Sequence, residues 1–421
     1  MLTTKQYKAW SVVIMSTLAF TVCFMIWMMF AVIGIPITQS LGLNETQFGL
    51  LIAMPVLTGS LIRLPLGMWT DRLGGRIVFF VLMVSTILPI WMISLATEFW
   101  QFLLIGLFVG IAGGSFTVGI AYCARWFSKN QQGLAMGIFG AGNTGAALTK
   151  LIAPSIVVAY GWKMVPQIYA VLMTITAILF WFLTYSDPSH RVSKTVTIRD
   201  QLIALKDPAV WRYSQYYSIV FGGYVALALW MTKYYIAEYG FDLKTAALMA
   251  AAFSIPGGML RAIGGHLSDK FGAHTVTWWV MWVALVCLFF LSYPQTEIII
   301  HTISGPKTFH LGLGPISFTI IMFTMGIAFA MGKASVFKYI ADDYPNNIGV
   351  ISGVVGLAGG LGGFFMPIFF GVLVDLTDIR SSAFMLMFGV VWVSLMWMYW
   401  AEVRPIHQSR KNKNKSSYMM E

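Results

Sequence analysis

Residues 59–76 read GSLIRLPLGMWTDRLGGR, and residues 257–274 read GGMLRAIGGHLSDKFGAH. The second stretch repeats the first. Arg261 answers Arg63, Gly265 answers Gly67 and Asp269 answers Asp71, each 198 positions later. In both, an arginine sits inside an apolar run and a charged turn opens two helical turns further on. The pattern predicts one membrane-embedded unit built twice, with an arginine from each copy facing a shared cavity.

Composition fixes the setting. Of 421 residues, 58% are hydrophobic and 10% charged, with a mean hydropathy of +0.76. A soluble domain carries about 25% charge, so this chain cannot cover a water-facing surface and reads as an integral membrane protein. Long apolar runs of roughly 20 residues fit spanning helices, whereas barrel strands would alternate residue by residue. The net charge of +11 does not imply a nucleic-acid partner, because the cations gather in loops and the C-terminal tail, as membrane orientation requires. Cys23, Cys123 and Cys287 are isolated in apolar runs. Neither a metal site, a cofactor nor a disulfide framework is expected. The N-terminus reads as a retained first helix rather than a removed signal peptide.

Apolar spans fall at 9–37, 46–70, 77–96, 100–126, 133–160 and 164–185, then at 211–236, 244–268, 275–293, 312–339, 348–373 and 382–402. The expected organisation is a six-helix half over 1–185, a linker over 186–209, a second six-helix half over 210–405 and a basic tail over 406–421. Lys5, Lys8, the DRLGGR turn, the linker, the SDK turn and the tail share one side. The Lys/Arg rule makes that side cytoplasmic, with both termini on it. A second set of matches runs 213 positions apart: Phe116 with Phe329, Arg125 with Lys338, Pro154 with Pro367. The register change places an insertion at 294–311, expected to be a solvated loop on the other side whose EIII segment rests on the membrane. Its His301 and His310 read as loop residues rather than metal ligands.

The turn GMWTDRLGGR resembles the loop motif of the major facilitator superfamily, in Gly67, Asp71, Arg72, Gly74 and Arg76. The second copy departs from it at Lys270 and His274. The resemblance implies an all-α fold of twelve transmembrane helices in two pseudo-symmetric six-helix halves. Substrate in such folds binds at the midplane between the halves.

Arg63 lies two turns deeper than Asp71, about 12 Å at 1.5 Å per residue. Burying an arginine there costs ~2.5–3.5 kcal/mol on insertion scales. All sixteen acids fall in loops or near helix ends, so a buried carboxylate partner is not expected. Backbone carbonyls or a bound anion remain. Two planar guanidiniums can clamp a small flat oxyanion with bidentate bonds that ammonium groups cannot match. Glycine-rich runs at 133–154 and 349–367 let helices approach closely. Asn143, within GAGNTG, either faces the cavity or makes an interhelical bond.

With those glycine runs, GNxG and the run ending GGFFMP, the paired arginines resemble the nitrate/nitrite porter family over nearly the whole chain. The resemblance implies that Arg63 and Arg261 clamp nitrate or nitrite and that Asn143 hydrogen-bonds it. It also implies that Tyr217, Phe221, Phe116 and Phe30 line the site. Asp71, Thr149–Lys150, Lys333 and Lys338 match the nitrate–proton symport branch. A proton is then a co-substrate, yet no acid lies near the midplane, and His266 sits five residues past Arg261 towards the cytoplasmic end. Lys150 and Lys333 are the embedded candidates for coupling; the alternative is that each snorkels to an interface. Asp71, Arg72, Arg76, Arg125 and Asp269, at the cytoplasmic helix ends, read as gating residues. The expected protein is a monomeric importer of nitrate, and of nitrite, in a bacterial inner membrane. The alternatives are a nitrate/nitrite exchanger, a carrier of another small anion, and a carrier-like nitrate sensor. With no nucleophile–base pair or phosphate loop, an enzyme is not expected.

Overall fold

The computed structural model describes residues 4–127, 129–186, 203–344 and 348–404. Most of the expected linker, and the tail, lie outside the described residues. The first half comprises α1 (Thr4–Trp27 and Phe30–Leu41), α2 (Glu45–Leu61 and Arg63–Leu73) and α3 (Gly75–Met92). It continues with α4 (Phe99–Val109, Gly110–Gly114, Ser115–Ala124), α5 (Lys129–Gly140, Ala141–Thr144, Gly145–Tyr160) and α6 (Met164–Leu183). The second half comprises α7 (Pro208–Tyr217, Ser218–Gly223, Tyr224–Tyr239), α8 (Leu243–Met259 and Arg261–Phe271) and α9 (Ala273–Leu291). A hairpin, β1 (Thr296–Thr302) and β2 (Gly305–Leu311), precedes α10 (Pro315–Asp343), α11 (Ile348–Thr377) and α12 (Ser382–Met398). Among the described residues, ten of these helices are long and apolar enough to cross a membrane, and bent α8 makes eleven. The pieces of α5, at 12 and 16 residues, are shorter and complete the twelve.

The sequence repeat is a repeat of local structure. Both α2 and α8 start on a side-chain cap at matched positions. Asn44 accepts from the Gln47 backbone N–H at 2.8 Å in a capping box, and Asp242 accepts from Lys244 and Thr245. These caps satisfy donors that a helix start leaves open. Bonds from Thr245, its hydroxyl first, hold the Asp242 carboxyl below its ordinary value. Both helices break once, at Ile62 and Leu260, and resume at the arginine. The break in α8 bends it by 46°. Both end at glycines in left-handed backbone, Gly74 at φ 87° and Gly272 at φ 85°, which a side chain would strain. Cap, break, arginine and terminator therefore all recur 198 residues apart.

The two halves meet most closely along α2 and α11, where glycines let the backbones touch. A Cβ on Gly49 would lie 2.3 Å from the Pro367 carbonyl oxygen, on Gly360 2.0 Å from Ser60 Oγ, and on Gly371 2.2 Å from the Glu45 carbonyl oxygen. Further along α11, a Cβ on Gly356 would meet nothing within 4 Å. The halves are thus sealed at the Glu45–Asp375 end and parted towards the Asp71 end.

The 294–311 stretch differs from expectation. It is an antiparallel hairpin, with Ile298 opposite Phe309 and Ile300 opposite Lys307, because the β-branched residues Thr296, Ile298, Ile299, Ile300 and Thr302 ahead of the two-residue Ile303–Ser304 turn favour paired strands over open loop. Its His310 lies 3.2 Å from Glu297 across the strands.

Candidate functional site

Where α2 and α11 part, a cavity of about 300 Å³ opens, lined by Arg63, Gly67, Asp71, Phe116, Tyr217, Phe337 and Gly356 among others. Four helices of the first and second halves contribute: α2, α4, α7 and α10, with α11 as the fifth wall. The volume takes a small anion and several waters, at about 30 Å³ per water.

Arg63 is half-buried at the helix break. Its Nη1 donates to the Gly356 carbonyl oxygen at 3.4 Å, and its guanidinium lies 5.1 Å from the Phe221 ring centre. Its Nε is buried without a hydrogen-bond partner. Arg261 sits between two rings that line the cavity, 5.2 Å from Phe116 and 5.4 Å from Phe337. Cation–π contacts of this kind contribute about 0.5–2 kcal/mol and leave the in-plane N–H edges free. Neither arginine has a carboxylate partner among the described residues. Asp71 lines the cavity but is paired with Arg125. Each arginine also opens a half-helix, whose start adds a positive dipole end. The arrangement concentrates positive charge with no carboxylate beside either arginine among the described residues, a chemistry suited to an anion.

The aromatic walls pack against one another. Tyr217 and Phe221 stack in parallel at 5.2 Å and 5°, and Phe337 meets Tyr217 edge-on at 5.0 Å. A π turn over Ser218–Gly223 follows Tyr217 directly and carries Phe221. Gly359 presses on both: a Cβ there would come 2.3 Å from Tyr217 and 3.3 Å from Phe221. Phe116 is backed by Phe20 and Phe139. Phe337 had no sequence signal, since its counterpart in the first half is Ala124.

Of the expected site residues Arg63, Phe116 and Tyr217 line the cavity, while Arg261, Phe221, Asn143 and Phe30 stand back from the lining. Asn143 is buried at the α5 break and donates Nδ2 to the Gly140 carbonyl oxygen at 2.9 Å. Its backbone lies against Gly258 of α8, three residues before Arg261. Phe30 is fully buried at the break in α1 and is not among the lining residues.

Neither embedded lysine snorkels, because polar partners lie within reach inside the protein. Lys150 is 1% exposed and donates to Ser254 Oγ at 2.5 Å, crossing from α5 to α8. Lys333 is 1% exposed and donates to the Gly257 carbonyl oxygen at 2.6 Å, with its Nζ 3.6 Å from the Tyr224 ring centre. Both ammonium groups thus touch the same helix segment, just ahead of Arg261.

At the Asp71 end the charged pairs seen among the described residues stay within their own halves. Arg125 pairs with Asp71, and the matching Lys338 pairs with Asp269 at 3.4 Å and Asp342 at 2.9 Å. Lys338 thus belongs with the end-face pairs rather than with the buried lysines. Arg76 donates to the Trp181 carbonyl oxygen at 2.5 Å and stacks on that ring, while Arg72 is exposed. At the opposite end the links do cross. Asp375 accepts from the Glu45 and Thr46 backbone N–H groups at 3.1 and 2.8 Å, and Lys233 pairs with Glu45 at 2.6 Å. Sequence reading missed this cluster, whose members Thr46 and Asp375 lie 329 residues apart.

Residues 15–367 match the Major Facilitator Superfamily. A Thermus thermophilus protein named "Probable nitrate/nitrite antiporter NarK1" is 38% identical over 411 residues, covering 94% of this chain and 93% of that protein. The "Nitrite extrusion protein" of Bacillus subtilis is 29% identical over 404 residues, covering 95% and 97%. Among solved structures, a bacterial homologue of the human lysosomal transporter Spinster, inward-facing and unoccupied, matches with a TM-score of 0.71 at 17% identity, covering 95% and 98%. That likeness concerns the fold alone. With repeat, fold and relatives in agreement, the chain belongs to the nitrate/nitrite porter family of the major facilitator superfamily, and it is a carrier rather than an enzyme.

Proposed function

We propose that this protein imports nitrate across the cytoplasmic membrane by alternating access, with nitrite as a second substrate and a proton as co-substrate. One observation carries the reading: Arg63 lines one small cavity, Arg261 from the repeat-related helix break stands behind two of its rings, and neither arginine has a carboxylate partner among the described residues. Nitrate fits such a site because it is flat and presents paired oxygens to guanidinium edges. Aromatic faces above and below suit a planar anion, and Asn143 reaches the site through the α5–α8 contact as the halves close.

On this reading residues 1–185 and 210–405 form the two moving halves, with 186–209 as a cytoplasmic linker and 406–421 as a cytoplasmic tail. The protein works as a monomer with both termini inside. The Asp71 end is then cytoplasmic, the cavity is open inwards, and the Asp375–Thr46–Glu45–Lys233 cluster seals the outer end. Asp71, Arg72, Arg76, Arg125 and Asp269 reorganise when the inner end closes. Lys150 and Lys333 carry the coupling proton, since each holds its ammonium in a dry site next to the arginine-bearing helix.

Nitrate/nitrite exchange is the second reading. It is favoured by the name of the Thermus thermophilus relative and by a cavity whose acid, Asp71, is already paired. Nitrate uptake into proteoliposomes separates the two. Symport gives uptake into nitrite-free vesicles that rises when the outside is made acidic. Exchange gives uptake only when nitrite is loaded inside. Competition by nitrite, chlorate and formate then ranks the substrates.

A further inference from the structure

The hairpin between α9 and α10 takes no part in the cavity. Side chains directly opposite one another across an antiparallel pair share a face, and neighbours along a strand alternate. The register therefore places Ile298, Ile300, Phe309 and Leu311 on one face, with Lys307 at its far end. The other face carries Glu297, His301, Thr308 and His310, with Ile299 among them. The four apolar side chains of the first face are 38–50% exposed, so the body of the protein does not cover them. A two-stranded hairpin is marginally stable in water, and a lone exposed apolar face marks a contact surface.

The chain itself says what that surface meets. The hairpin leaves the end of one spanning helix at Leu291 and enters the next at Pro315, so its base lies at the bilayer surface. Tyr239 and Gln295 both donate to the Leu313 carbonyl oxygen, at 3.0 and 2.8 Å, and fix that base to α7. Half-exposed Tyr293 beside it is the residue type that marks the headgroup level. Leu311, at the base of the apolar face, therefore starts at the level where the spanning helices end. Strands of seven residues reach about 23 Å at ~3.3 Å per residue, enough to lie along the leaflet.

We propose that this hairpin is an interfacial anchor, with its Ile298–Ile300–Phe309–Leu311 face laid into the leaflet from which it emerges and its Glu297–His310 face turned to water. Spin labels test it. The three native cysteines are buried, so labels attach selectively in Ile298→Cys, Ile299→Cys, Thr308→Cys and Phe309→Cys. In phosphatidylethanolamine/phosphatidylglycerol vesicles, collisions with oxygen should exceed those with a water-soluble nickel complex at 298 and 309, and the order should reverse at 299 and 308. Water-like values at all four sites, as expected if the face waits for a protein partner, overturn the proposal. Unlabelled protein gives an independent readout by hydroxyl-radical footprinting. Oxidation of Phe309 should fall several-fold relative to His310 on moving from detergent into vesicles; an unchanged ratio contradicts the anchor.

Discussion

Asp375 and Thr46 join the two halves at the end remote from Asp71: the carboxylate accepts from the Thr46 backbone N–H at 2.8 Å and from its hydroxyl at 2.6 Å. The contact works as a helix cap supplied by the opposite half. It closes the end remote from the cavity that Arg63 lines, the end that the proposed orientation makes the outer one. Alternating access then requires that this cap be released when the outer end opens.

Asp375→Ala removes that cap. Losing a helix cap costs about 0.5–2 kcal/mol, here charged to the outward-closed state. The variant should shift the resting population towards outward-open by roughly two- to thirty-fold. A cysteine at Val56, whose side chain lies 3.3 Å from a Cβ on Gly363 at the α2–α11 seam, should react faster with an impermeant maleimide added outside. Unchanged labelling would show that the glycine packing alone holds the seam.

Gly371→Val attacks the same seam by shape. Its Cβ would come 2.2 Å from the Glu45 carbonyl oxygen, a backbone atom that cannot swing aside. Expected is faster labelling at the Val56 position and a lower thermal midpoint, with a loss in the ~1–3 kcal/mol range usual for overpacking. A midpoint equal to wild type would contradict the close approach.

Gly356→Leu probes the cavity instead. A Cβ there meets nothing within 4 Å, so the variant should fold with a midpoint near wild type. Its side chain fills space next to the Arg63 guanidinium. Nitrate uptake should drop more than tenfold. Normal uptake would place the transported anion elsewhere.

Much of this arrangement was legible in the sequence, because the features that build it are local and occur twice. The charged turns and Arg63 and Arg261 recur at one offset, and the structure adds matching caps at Asn44 and Asp242. What the sequence hid was long-range. Asp375 meets Thr46 across 329 positions, and Phe337 reaches Arg261 without a symmetric counterpart. The lysines show the same limit: a charged residue near a span end reads equally as a snorkeller or an interior group until Ser254 and the Gly257 carbonyl are seen beside it. The hairpin strands were passed over because a short polar insertion with one apolar cluster lacks a clear period.

Lys150→Gln and Lys333→Gln address coupling. Each keeps a hydrogen-bonding side chain of similar reach and removes the proton-carrying amine. Uptake driven by an acidic exterior should fall to the level without a gradient, while nitrate exchange across loaded vesicles persists. Retained acid-driven uptake in both variants would remove the lysines from the coupling path.

The paired-arginine clamp is tested most directly by nitrate uptake in proteoliposomes of wild type and Arg63→Lys at matched protein density. Lysine keeps the charge and loses the planar fork. Charge-assisted bonds of this kind contribute about 1.5–3 kcal/mol, so the account predicts a loss of roughly 10- to 150-fold in apparent affinity by a variant that folds. Uptake with wild-type affinity in Arg63→Lys would contradict it.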